Sequence, residues 1–209
     1  MERDLEVPPE RIGRWLSGFA ERHGGPPEAV PAPGGVRFTA PDGAVADCRL
    51  PFPPEEAPAD AAGLEAAART EQWVGVVLAR LGGHAVGVFH GDRLVASKVG
   101  SRHVQGRTAA GGWSQQRFAR RRQNQAREAQ ASAAGTAARV LSPYRERLRA
   151  VVLGGDRRSL ATVSADPRLR WMEPMLAERV LNVPDPRHAV LAATPADFRA
   201  VRIHLTEPE

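Results

Sequence analysis

Apolar and polar positions first separate on a helical period. Ile12, Trp15, Leu16 and Phe19 fall at i, i+3, i+4 and i+7 and so share one face of an amphipathic helix. Pro8 and Pro9 suit its start, and Gly24-Gly25 its end. The period then shortens. Val36–Thr39 and Ala44–Leu50 are two strand candidates, joined by a Pro41-Asp42-Gly43 turn. Residues 51–62, PFPPEEAPADAA, are too rich in proline and too poor in apolar groups for regular structure, and are expected to be a linker.

Beyond the linker the apolar runs become continuous. Trp73–Ala79 (WVGVVLA) fits a strand buried on both faces. His84–His90 and Arg93–Val99 follow, separated by Gly91-Asp92, a spacing and dipeptide that favour a tight hairpin. A glycine-containing loop, Gly100 to Gly112, then gives way to a strongly helix-forming stretch from about Ser114 to Ala134. Leu141, Tyr144 and Leu148 suggest a second helix, and Val151–Leu153 another buried strand ended by Gly154-Gly155. A short helix through Leu160 and Val163, a strand near Arg179–Val183, a helix from Pro186 and a closing strand Val201–Leu205 complete the pattern. Strands first in hairpins and then alternating with helices predict an α/β fold, a mixed sheet with packed helices. The expected division is residues 1–66, a small helix and strand extension, and residues 67–209, the principal domain. No internal repeat is visible.

Composition changes this picture little. Apolar residues at 42% and charged residues at 25% are ordinary for a globular protein. With one cysteine, Cys48, no disulfide can form within the chain, and a reducing compartment is expected. The opening residues MERDLEVPPERIGRW lack an apolar run behind a positive start, and no stretch approaches the ~18 uninterrupted apolar residues of a membrane helix. A cytoplasmic protein with no membrane partner is the expectation.

Charge changes it a great deal. The net charge is +5, yet residues 1–97 hold 9 basic and 14 acidic groups, and residues 150–209 hold 8 of each. The excess sits in residues 98–149, where 12 basic groups face only Glu128 and Glu146. Abundant alanine, glycine and proline point to a GC-rich coding sequence, which accounts for the use of arginine but not for its clustering. A block of one sign attracts polyanions through its field and through counterion release. RNA is the expected partner of the segment from Lys98 to Arg149.

Candidate chemistry lies in the same segment, GSRHVQGRTAAGGWSQQRFARRRQNQA from Gly100 to Ala126. Gly111 and Gly112 permit close backbone approach to a ligand. Ser114, Gln115 and Gln116 supply neutral hydrogen-bonding groups, and Trp113 a face on which a base can stack. Arg102, His103 and Arg107 precede this tip; Arg117, Arg120, Arg121 and Arg122 follow it, placed to grip phosphate. Three other chemistries find less support in these residues. A nucleophile at Ser101 with His103 as base has no carboxylate nearby in sequence to orient the imidazole. A metal nuclease needs clustered acids at strand ends, where only Asp92 is available. His84, His90, His188 and His204 have no metal-ligand spacing with one another or with Cys48, and read as structural or exposed.

The three strands, the loop ending in Gly112-Trp113-Ser114-Gln115 and the basic helix behind it resemble the catalytic domain of the release-factor-like peptidyl-tRNA hydrolases of ribosome quality control. That domain is similar to the middle domain of eukaryotic and archaeal class 1 release factors. GSRHVQGRTAAGGWSQQRFARRR resembles the bacterial, actinobacterial-type branch, and the resemblance spans about residues 70–206. It implies that Gly112 and Gln115 are the catalytic glycine and glutamine, with Gly111, Ser114 and Gln116 in support. Release factors proper carry a contiguous Gly-Gly-Gln; here Trp113 and Ser114 intervene and Gln116 adjoins, so either glutamine fits. The implied activity is hydrolysis of peptidyl-tRNA on the ribosome, in termination or rescue, without a cofactor or metal, by a monomer that meets large-subunit RNA and peptidyl-tRNA. A ribosome- or RNA-binding factor without catalysis is the alternative.

Overall fold

The computed structural model describes residues 1–81, 83–101 and 131–208. They form two compact units: residues 1–71 with 195–209, and residues 72–194.

The first unit is built on a five-stranded antiparallel sheet. Its strands are β1 (Glu2–Val7), β2 (Glu28–Ala32), β3 (Gly35–Thr39), β4 (Val45–Arg49) and β10 (Val201–Thr206), in the order β1-β10-β4-β3-β2. Helix α1 (Ile12–Arg22) lays Ile12, Leu16 and Phe19 on a core shared with Val36, Phe38, Cys48 and Ile203. It ends as expected, with Gly24 and Gly25 at φ 87° and 127°. Helix α2 (Ala61–Arg69) adds Leu64 to that core, and Asp60 caps it by accepting from the Gly63 amide at 2.7 Å. A short helix α6 (Pro195–Phe198) precedes β10. Burial pushes the Cys48 thiol up to about 12, so this side chain is a core group rather than a nucleophile.

The second unit carries the mixed sheet. β5 (Trp73–Arg80), β6 (Gly83–His90) and β7 (Arg93–Ser101) form an antiparallel meander; β8 (Ala150–Gly155) pairs in parallel with β5, and β9 (Leu176–Leu181) in parallel with β8. The order is β7-β6-β5-β8-β9. Both faces of the sheet are covered, which explains why Val74–Ala79 are all buried. On one face, α3 (helix over the described residues 131–141) and α4 (Arg157–Ser164) pack Ala137, Leu141, Leu160 and Val163 onto Val77, Val86 and Val88. On the other, Leu191 of α5 (His188–Ala193) lies over Gly87. Asp156 caps α4, accepting from the Ser159 amide and hydroxyl, each at 2.8 Å.

Four expectations are corrected. The helix expected through Leu141, Tyr144 and Leu148 does not form: α3 ends at residue 141 and Ser142–Tyr144 is a 3-10 turn. Pro143 is the reason: it has no N–H to donate to the carbonyl four residues earlier, and its ring crowds that carbonyl, so the α-helical ladder cannot continue through it. The strand expected near Arg179–Val183 lies at Leu176–Leu181, after a 3-10 segment Pro167–Met175. The helix expected from Pro186 begins at His188. The closing strand, grouped by sequence with residues 67–209, is β10 and pairs with β1 and β4 in the first unit. Val201, Ile203 and Leu205 are buried and Arg202 and His204 exposed; this alternation marks a strand with one face on a core but not which sheet it joins, which register with β1 and β4 decides.

Candidate functional site

In sequence, residues 102–130 of the basic segment join the end of β7 to the described part of α3. The register Gly83↔Ser101 to His90↔Arg93 sets the end of β7 beside the start of β6, and β5 ends there too. Helix α3 then crosses the sheet toward the opposite end. Its last residue, Leu141, is fully buried against Gly75, where an added Cβ would lie 3.1 Å from Leu141 Cδ2.

The start of β6, paired with the end of β7, is tied to α3 by one polar cluster. His84, near the start of β6, is 6% exposed, and its Nε2 lies 3.0 Å from Thr136 Oγ1 on α3. Arg139, one turn on, donates to the same hydroxyl at 3.3 Å. Burial, with Arg139 close by, holds the His84 pKa below its ordinary value, so the neutral ring is favoured. The cluster is satisfied when Arg139 donates to Thr136 and the Thr136 hydroxyl donates to the unprotonated Nε2. Across the strand pair, Gly100 faces His84; a Cβ there would lie 2.5 Å from His84 Cε1 and 2.6 Å from Nε2. Only glycine leaves room for this ring one residue before β7 ends. The frame of the loop is therefore a hydrogen-bonded, close-packed junction between strand and helix.

The family of Actinobacteria/chloroflexi VLRF1 release factors (acVLRF1) matches residues 72–204. The chain belongs to this family. The acVLRF1 match starts at the first residue of the second unit and spans β7, α3 and the whole segment between them. Membership places the chain among translational release factors. No curated protein matches it. Among solved structures, the archaeal translation termination factor aRF1 is similar with a TM-score of 0.46 and 16% identity, covering 78% of this chain and 51% of that one. A second structure, described only as an archaeal protein, gives a TM-score of 0.44 and the same identity and coverage. The chain thus spans about half the length of these structures.

Of the residues singled out by sequence, Gln115, Gly112, Gly111, Ser114 and Gln116 lie outside the described residues. So do Arg102, His103, Arg107, Trp113, Arg117, Arg120, Arg121 and Arg122. Ser101 is the last residue of β7. Among the described residues no group of three or more His, Cys, Asp or Glu side chains is placed to hold a metal ion. Nor is any described helix long and apolar enough to cross a membrane. His90 packs against Trp73 at a tilt of 34°, His188 opens α5, and His204 Nδ1 lies 2.8 Å from Asp4 Oδ1. His84 is the residue whose part in the acVLRF1 frame sequence reasoning missed. Its alternation with Val86 and Val88 marked the inward face, but its partner Thr136 lies 52 residues away on a helix.

Proposed function

We propose that the protein is a peptidyl-tRNA hydrolase that acts on the ribosome and releases the nascent peptide by ester hydrolysis. The observation that carries this reading is the family match, whose span of residues 72–204 includes Gly112-Trp113-Ser114-Gln115 and the arginines behind it. The chemistry required is modest. An ester held in a confined site needs a positioned water and stabilisation of the charge developing on oxygen, not a strong protein nucleophile. A glutamine side chain cannot take a proton at pH 7, but it can orient water. Its backbone N–H, presented from a glycine-bearing loop, can donate to the developing oxyanion. Gln115 is assigned this role and Gly112 the backbone freedom it needs, with Gly111, Ser114 and Gln116 in support. Arg102, His103, Arg107, Trp113, Arg117, Arg120, Arg121 and Arg122 hold ribosomal RNA and the tRNA end. The His84–Thr136 junction fixes the point from which the loop departs.

Peptide release from purified ribosomal complexes carrying a peptidyl-tRNA tests this directly. The expected product is free peptide with tRNA that can be charged again, its terminal adenosine intact. Shortened tRNA would replace the hydrolase reading with a nuclease. Binding to ribosomes with no release from any complex would replace it with a non-catalytic binding factor.

A further inference from the structure

The end of the second sheet opposite the loop carries a cluster of rings and arginines that the release chemistry does not use. Trp73, the first residue of β5, lies across from His90, their ring centroids 4.8 Å apart. Tyr144 stacks on Trp73 at 5.8 Å and 25°. The Arg147 guanidinium sits 5.4 Å from the Trp73 ring centre, and Arg145 sits 5.7 Å from that of Trp171. Two of the four tryptophans and the single tyrosine of the chain meet here. All four rings are partly exposed, and both arginines are exposed.

Packing alone explains one side of this cluster, since Trp73, Tyr144 and Trp171 border the core. It does not explain the other side. Arg145, Arg147 and Arg149 alternate on one turn, with Glu146 the only acid among them. The turn is tied to β5 by the Arg149 amide, which donates to the Trp73 carbonyl at 2.8 Å. Among the described residues, the Arg145 and Arg147 guanidiniums face rings rather than carboxylates. A guanidinium laid on an aromatic face is already ordered, and its N–H edges still point outward toward a phosphate. Ring faces and edges of this kind suit unpaired nucleotides, whose bases stack while the backbone is gripped. β5 spans 8 residues, so this cluster lies on the order of 25 Å from the sheet end where the loop departs.

We propose that Trp73, Tyr144, Arg145, Arg147 and Trp171 form a second RNA-binding surface, which takes a short unpaired stretch of RNA at the far end of the same rigid sheet. This surface deepens the ribosomal reading of the protein, because an RNA contact far from the loop would set the reach of the catalytic tip. It does not depend on the loop being catalytic.

The test uses the full chain and a short fluorescein-labelled oligouridylate, a second version of which carries 4-thiouridine. Replacing Arg145 and Arg147 together by alanine should flatten the log–log salt dependence of binding by about 1.4, roughly 0.7 for each lost phosphate contact. Tyr144→Leu, which keeps an apolar side chain against the core, should weaken binding roughly tenfold, within the range for one stacked base. Crosslinks from 4-thiouridine should fall on peptides holding Tyr144 or Trp171, and oligoglutamate of equal charge should compete poorly. An unchanged salt slope, crosslinks only within residues 102–130, or full competition by oligoglutamate would each overturn the proposal. Oligouridylate binding is read without ribosomes or peptidyl-tRNA, so failure of the hydrolase reading leaves it unchanged and the two failures give different results.

Discussion

Gly100→Ala probes the junction that holds the loop frame together. The new methyl would lie 2.5 Å from His84 Cε1 and 2.6 Å from Nε2, about 1 Å inside ordinary contact. The ring is 6% exposed and held by Thr136 at 3.0 Å, so retreat means losing that hydrogen bond. Overpacking of this kind costs about 1–3 kcal/mol, and a buried hydrogen bond about 1 kcal/mol. Alanine in place of glycine returns about 0.5–1 kcal/mol within a strand. The net loss is about 1–3.5 kcal/mol. Hydrogen exchange of the β6 and β7 amides reads this locally, and at about tenfold per 1.4 kcal/mol the expected acceleration is roughly 5- to 300-fold. The same substitution in a His84→Ala background meets no ring. There it should be neutral, or slow exchange slightly through the strand preference alone. Equal acceleration in both backgrounds would mean the two residues do not interact, and the steric account of Gly100 would be wrong.

Acidification should loosen the same junction. The His84 pKa is lowered on folding, so the unfolded chain binds the extra proton first. The contribution of His84 to stability is complete above its unfolded value of 6.5 and is lost as pH falls below it; His84→Leu should remove that component from urea midpoints measured between pH 8 and pH 5. His204, raised by its hydrogen bond to Asp4, behaves in the opposite sense. Its contribution is complete below 6.5 and is lost as pH rises through the raised value, a trend that Asp4→Asn should weaken, leaving the smaller part due to Glu2 and Asp47. Replacing Arg117, Arg120, Arg121 and Arg122 together by alanine should flatten the salt dependence of ribosome binding by about two to three log units per log unit, at roughly 0.7 for each contact. An unchanged slope would place the RNA surface elsewhere.

Sequence legibility followed how far each signal lies from its cause. β5, β6 and the Gly91-Asp92 turn were readable because burial on both faces leaves continuous apolar runs and a two-residue hairpin has its own chemistry. β1 and β2 were not. β1 reads ERDLEV and lies at a sheet edge where charge is tolerated, and β2 carries Pro31 at the opposite edge. Helix α2 hid behind the proline-rich stretch because Leu64 is its only large apolar residue. β10 was readable as a strand, but not as a partner of β1 some 200 residues away. The glutamine loop was legible as a motif within a basic block. The far-end cluster was not, because Trp73, His90, Tyr144 and Trp171 are brought together only by strand register and a turn.

Peptide release by Gln115→Ala, set beside Gln116→Ala and the unaltered protein on the same ribosomal complexes, tests the central claim most directly. The alanine keeps the backbone N–H, so ribosome binding should hold while release slows about 10²–10³-fold, the cost of losing one group that stabilises the transition state. Gln116→Ala should cost far less. A reversed pair of results would move the catalytic position by one residue. Release at the unaltered rate from both variants, with binding intact, would contradict the glutamine mechanism.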